Sequence, residues 1–213
     1  MRYLRFDKKE SRRARLSNDK FALMSHVWGR FVDNCVACYK PGPNLTVDEQ
    51  LFPIKARCRF TQYMANKPDK FGIKFWIAAD VETKYMLNGF PYLGKDPSRP
   101  KNQSVGETVV MRLMEPYLGK GRNVTADYFF TSLTIAKTLL KRNTSLVGTM
   151  NKARRELPLS AASQRGVLFA TKLLRHERST LTIYQGKRRK SVALLSSMHQ
   201  TVAIRSDRKR NSD

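Results

Sequence analysis

Two carboxylates sit where a strand-bound acid is costly unless something meets it. Asp127 lies in "NVTADYFFTS", residues 123 to 132, among Val124, Ala126, Tyr128, Phe129 and Phe130. A carboxylate at the end of a half-buried strand requires a cation or hydrogen-bond donors. Asp48 lies within "LTVDEQLF", where Leu45, Val47, Glu49 and Leu51 alternate with Thr46, Asp48, Gln50 and Phe52 as the two faces of a strand. If the two strands are neighbours, their carboxylates converge and repel unless a divalent cation lies between them. Hard oxygen ligands of this kind select Mg²⁺ or Mn²⁺. On a phosphodiester, such a metal activates the attacking oxygen and stabilises the leaving one. The plain alternative is that each Asp is solvated or caps the helix that follows it. Asp80 and Glu82 in "AADVETKY" are read as turn residues, which Asp and Glu after a strand commonly are.

The elements that must position these acids are legible in outline. Residues 1 to 18 read as a solvated basic run. From Asp19 to Cys35, apolar residues at helical spacing predict an amphipathic helix, ended by "PGPN". "LTVDEQLF", "CRFTQYMA" and "FGIKFWIAADV" read as three strands in a meander. "KYMLNGFPYL" is a fourth extended piece. Ser104 and Glu107 form a capping-box pattern before a helix bearing Val109, Val110, Leu113 and Met114. The strand with Asp127, a helix from about Ser132 to Lys141 and the strand "SLVGTM" follow. This order predicts an α/β fold with a mixed sheet and flanking helices. After Met150 the texture changes: "GVLFAT", "LTIYQ" and "SVALLSS" read as strands of a small β-rich module. The expected division is a basic segment with its helix over 1–44, a core over 45–150, the β-rich module over 151–204, and a basic tail over 205–213.

Lys and Arg number 41 against 17 Asp and Glu, a formal net charge of +24. The excess is spread along the chain, and such a charge predicts a polyanionic partner. Nucleic acid leads; a membrane surface is disfavoured because no long amphipathic basic helix stands out. Lys67, Lys70 and Lys74 in "NKPDKFGIK", and Lys187, Arg188, Arg189 and Lys190 in "GKRRK", are the candidate phosphate contacts. The second run also reads as a nuclear-import patch. Cys35 and Cys38 have metal-like spacing, but a zinc site needs four ligands, and two helix-borne thiols are the commoner case. His26, His176 and His199 share no motif. Trp28 and Trp76 read as core, and no apolar segment opens the chain as a secretory signal.

As a set, "TVDEQL", "NKPDKFGIK", "TKYMLNGFPYLG", "VTADYFFTS" and "VGTMNKARRELP" resemble the piggyBac family of transposases and their domesticated derivatives, from about Arg5 to Ser197. The resemblance implies an RNase H-like fold in which aspartates bind two divalent metals, Mg²⁺ or Mn²⁺, for cleavage and strand transfer of double-stranded DNA. It places the first two catalytic, metal-binding aspartates at Asp48 and Asp127. It implies a nuclear protein that can form a homodimer, and an insertion where the texture changes.

One departure bears on activity. The family carries a third catalytic aspartate in a segment like "TKGGVDxxD" on a helix after the insertion, and these 213 residues contain no such segment. Asp207 and Asp213 are the only later acids, in a basic tail with no apolar helix to hold them. The family's Cys/His-rich domain is not found either. The expectation is therefore a central piece of a transposase with the C-terminal part of its fold missing, able to bind DNA but inactive alone. A domesticated, non-catalytic DNA or chromatin binder and a decayed fragment are the alternatives.

Overall fold

The computed structural model describes residues 7–55, 58–96, 99–100, 102–158, 161, 167–188 and 190–201. Arg189, Asp207, Asp213 and the 205–213 tail lie outside the described residues.

Strand β1 (Asn44–Pro53) follows the predicted alternation. Leu45, Val47 and Leu51 are buried, while Asp48, Gln50 and Phe52 are exposed. Its partner differs from expectation. "CRFTQYMA" forms only the three-residue β2 (Thr61–Tyr63), which does not pair with β1. Instead β1 pairs antiparallel with the equally long β3 (Phe71–Asp80), with Asp48 opposite Ile77. Both β2 and β4 (Met86–Pro91) take the other edge of β3, one after the other along its length. The β1–β2–β3 meander is thereby corrected to β1–β3–β4, with β2 as a short edge piece.

Two parallel crossovers extend the sheet on the free side of β1. Helix α3 (Val105–Met114) precedes β5 (Asn123–Ala126), and α4 (Leu133–Lys141) precedes β6 (Ser145–Thr149). β5 pairs parallel with β1, and β6 parallel with β5. The capping box of α3 forms in full: Ser104 accepts from the Glu107 N–H while Glu107 accepts from the Ser104 N–H. Val109, Val110, Leu113 and Met114 of α3 join Val47, Trp76, Ala78 and Leu87 in one core with Ile135, Ala136 and Leu139 of α4.

At the start of the chain the helix is later than expected. Residues 9–18 form a separate helix α1 (Lys9–Asn18) with no buried residue, and the amphipathic helix is α2 (Ser25–Cys38). Trp28 of α2 packs 4.5 Å from Phe75 and donates to the Gly89 carbonyl. Phe75 faces away from Trp76 by the two-residue period, so α2 and α3 cover opposite faces of the sheet.

The residues after Met150 continue this sheet. "GVLFAT" supplies mostly a turn, with Val167 and Phe169 exposed, and the strand proper is the following β7 (Thr171–His176). β8 (Ser179–Lys187) and β9 (Lys190–Ser196) complete an antiparallel meander. β9 pairs with β6, giving, among the described residues, nine strands in the order β2–β3–β1–β5–β6–β9–β8–β7, with β4 beside β3. Among the described residues, no helix is long and apolar enough to cross a membrane.

Candidate active site

The parallel register of β1 and β5 places the two aspartates together. Val47 and Ala126 are the last paired residues, so Asp48 and Asp127 are the next positions on adjoining strands. Neighbours in register face the same side, here opposite to the buried Val47 and Ala126. Asp48 is accordingly exposed and Asp127 half-buried. Each carboxylate is oriented by its own backbone. Asp48 Oδ1 accepts from the Glu49 N–H at 2.8 Å, and Asp127 Oδ1 from the Phe129 N–H at 2.9 Å. Among the described residues, Oδ2 of each accepts no hydrogen bond. Two outward carboxylates with a free oxygen each suit a hard divalent cation, and Asp48 and Asp127 are the residues that would hold it.

The turn carrying Asp127 is pinned from several sides. Thr131 donates from its N–H to the Asp127 carbonyl at 3.1 Å and from Oγ1 to the same carbonyl at 2.8 Å. Two glycines let the turn come close. A Cβ on Gly106 of α3 would stand 2.6 Å from the Phe129 carbonyl oxygen. One on Gly148 of β6 would stand 2.2 Å from Thr131 Oγ1 and 2.4 Å from the Ala126 carbonyl oxygen. Glu107, having closed the capping box, accepts from Ser132 Oγ at 2.7 Å. From the "NKARREL" segment, Arg154 donates to the Phe129 carbonyl at 3.1 Å, and Glu156 accepts from the Leu133 and Thr134 N–H groups at the start of α4. The Phe129 ring stacks on Trp76, with centroids 5.5 Å apart and planes 14° from parallel. Lys74 Nζ lies 3.8 Å from the Trp76 ring centroid and 5.5 Å from that of Phe129.

The charges around the pair are mixed. Burial, and then the Asp48 charge, push the Glu49 carboxyl above its usual range; Lys74 and Lys67 act against this, and Lys67 Nζ is 3.7 Å from Glu49. Burial holds the Lys74 ammonium below the usual lysine value, while Glu49, Asp127 and Asp48 favour its charge. Among the described residues, no group of three His, Cys, Asp or Glu side chains gathers as a metal cage.

Of the predicted phosphate contacts, Lys67 and Lys74 come to the carboxylates, and Lys70 is exposed in the loop between them. Lys187, Arg188 and Lys190 are exposed at the β8–β9 hairpin. Because β9 runs antiparallel to β6, that hairpin lies at the same end of the sheet as Asp48 and Asp127. Asp80 is a structural acid: it is buried and accepts from the N–H groups of Gly42, Glu82 and Thr83 at 2.8, 2.9 and 3.0 Å. These bonds hold its carboxyl below the usual range. Cys35 and Cys38 both lie on α2, the first buried and the second exposed.

Sequence reasoning missed the supports of the Asp127 turn. Gly148, Arg154 and Glu156 lie in the motif "VGTMNKARRELP" and Gly106 one residue before Glu107 of the capping box, and only their closeness to this turn shows what they do.

Comparison with known proteins then decides the family. A family model described as transposase IS4 matches residues 1–213. A piggyBac transposase, solved by cryo-electron microscopy in a synaptic complex with hairpin DNA, superposes with a TM-score of 0.89 at 38% identity over 96% of this chain. This chain belongs to the piggyBac-type transposases. The human piggyBac transposable element-derived protein 3 is 27% identical over 139 residues, 63% of this chain, and a human chimeric ERCC6-PGBD3 protein matches over the same length with the same identity. The piggyBac-type chain spans 43% of the solved transposase chain and 23% and 13% of the two human proteins. Its mixed sheet with helices on both faces is the RNase H-like arrangement the motifs implied.

Proposed function

We propose that these 213 residues are a DNA-binding portion of a piggyBac-type transposase core, with Asp48 and Asp127 as two of its metal-binding carboxylates. The observation that carries the reading is their placement at adjoining ends of the parallel strands β1 and β5, on one side of the sheet. A divalent cation held there supplies Lewis-acid activation for attack on a phosphodiester. The protein's own part is to aim the two carboxylates by fixed backbone N–H groups, and to lay cations on either side of the strand ends where DNA phosphates would pass. Lys70, Lys187, Arg188 and Lys190 attract the backbone without reading sequence. Support for DNA as the partner comes from the net charge of +24 and from the DNA held by the structural neighbour. The basic hairpin also suits a nuclear protein.

The same reading holds that this polypeptide alone does not turn over. Glu49, the further acid near the pair, is tied to Lys67, and among the described residues no third free carboxylate joins Asp48 and Asp127. Two carboxylates bind an ion weakly and leave a second ion unplaced, whereas in-line displacement between two metals needs both.

Duplex binding measured at several salt concentrations tests the first part; each phosphate contact contributes about −0.9 to the slope of log K against log salt. A flat slope refutes it. Mn²⁺ titration tests the second: weak binding lost in Asp127→Asn, with no nicking of supercoiled DNA, is expected. Metal-dependent nicking by the 213-residue chain refutes the inactivity.

A further inference from the structure

On the α3 face of the sheet, opposite to the face of the two carboxylates, lies a cavity of about 480 Å³ between α3, the end of β4 and the turn after α1. Its walls combine three aromatic side chains with cations. Trp76 and Tyr92 meet edge to face at 6.0 Å, and the guanidinium of Arg112 sits 3.8 Å over the ring of Phe90. Lys20, which donates to the Leu93 carbonyl, and Arg99, which donates to the Gln103 carbonyl, also line it. Its two acids weigh against an anion, but Asp19 is turned to the Phe21 N–H, and four basic side chains line the same walls. The Trp76 wall is the one whose indole stacks on Phe129, and the Phe129 N–H holds Asp127. β4 runs antiparallel to β3, so the cavity opens at the end of the sheet that carries Asp48 and Asp127.

From this we infer a binding site for a single unpaired nucleotide of the DNA, at the end of the sheet that carries Asp48 and Asp127. The inference rests on the DNA-binding reading above. Unpaired bases bind proteins by stacking on aromatic rings and on guanidinium planes, with basic side chains on the flanking phosphates. A paired base cannot enter such a cavity without leaving its stack, and a nucleotide already unpaired enters at least cost. Tyr92 and the Arg112–Phe90 pair are the stacking surfaces, and Lys20 and Arg99 the phosphate partners.

The test compares two duplexes of one sequence, one blunt and one with a short single-stranded 3′ overhang containing 2-aminopurine. Anisotropy gives affinity and 2-aminopurine quenching reports stacking. The overhang is expected to bind about tenfold tighter and to be quenched. Tyr92→Leu and Arg112→Gln should each remove most of that advantage while blunt-duplex affinity changes little. Equal affinity for the two duplexes overturns the inference, as does an advantage that survives both substitutions. If the chain binds no duplex at all, the DNA reading fails by itself, and the cavity is then probed with deoxyadenosine monophosphate. Saturable millimolar binding lost in Tyr92→Leu supports the site, and its absence in the parent chain refutes it.

Discussion

Gly148→Ala probes the support of Asp127 without touching any carboxylate. The new Cβ would stand 2.4 Å from the Ala126 carbonyl oxygen and 2.2 Å from Thr131 Oγ1. Ordinary contact would need about 1 Å more, and one of the two obstacles is main chain, which cannot rotate away. Overpacking of this kind costs roughly 1–3 kcal/mol. In a chain of this length, each kcal/mol lowers Tm by about 2–4 °C. Relief comes through the strand end that positions Asp127, since Ala126 precedes it directly and Thr131 Oγ1 bonds its carbonyl. Loss of a group that orients a metal ligand typically costs about 10–100-fold in metal affinity. Mn²⁺ titration of the parent and the variant, alongside thermal unfolding, reads both effects. Gly29→Ala is the control, because its Cβ would meet nothing within 4 Å in the helix α2. It should raise stability by about 0.5–1 kcal/mol and leave Mn²⁺ affinity unchanged. A Gly148→Ala protein with lowered Tm but unaltered Mn²⁺ affinity refutes the coupling of β6 to Asp127.

Asp80→Ala strands three N–H groups around a buried site and should cost about 3 kcal/mol or more in a urea melt; Asp80→Asn should cost less. Tyr117 is buried and donates to the Leu87 carbonyl, and burial pushes its phenol up to about 12. The folded state therefore holds this proton more tightly than the unfolded one. The resulting stability is complete below about pH 10 and lost as pH rises towards 12, by roughly 3 kcal/mol. Tyr117→Phe should remove that alkaline slope. Replacing Lys187 and Arg188 together by Ala should reduce the magnitude of the salt slope of duplex binding by about 2, and no change would remove the β8–β9 hairpin from the DNA surface.

What the sequence made legible were features written in local pattern. The alternation in β1 and the capping box at Ser104 and Glu107 each need only a few neighbouring residues to be recognised, and both stand in the structure. Asp48 and Asp127 were singled out as strand-borne acids, and their neighbourhood follows from a parallel register no local pattern encodes. Where local pattern misled, burial was decided elsewhere. "GVLFAT" is apolar enough for a strand, yet Val167 and Phe169 are exposed, and the chain pairs with β8 only from Thr171 onward. Helix α1 has no apolar stripe and buries nothing, so its hydrophobic pattern could not announce it. The glycines beside the Asp127 turn have negative φ and no turn signal; the need for them arises from contact between distant elements.

The place of β1 in the sheet also has a consequence in time. Its partner β3 follows within a few dozen residues, but on its other edge Leu45 pairs with Val124, 79 residues further along the chain. At ribosomal rates of about 5–20 residues per second, roughly 4 to 16 s separate the synthesis of the two strands. For the last part of that interval, once the chain has passed Pro91, the β1–β3–β4 unit presents β1 as an open edge ten residues long. Open apolar edges recruit other strands, and charges within the edge strand discourage them. Asp48 and Glu49 lie in the middle of this one. Asp48, proposed to serve DNA chemistry in the finished protein, thus also guards the nascent chain together with Glu49, and replacing the two by neutral residues should lower soluble yield during expression more than it lowers the Tm of the protein recovered.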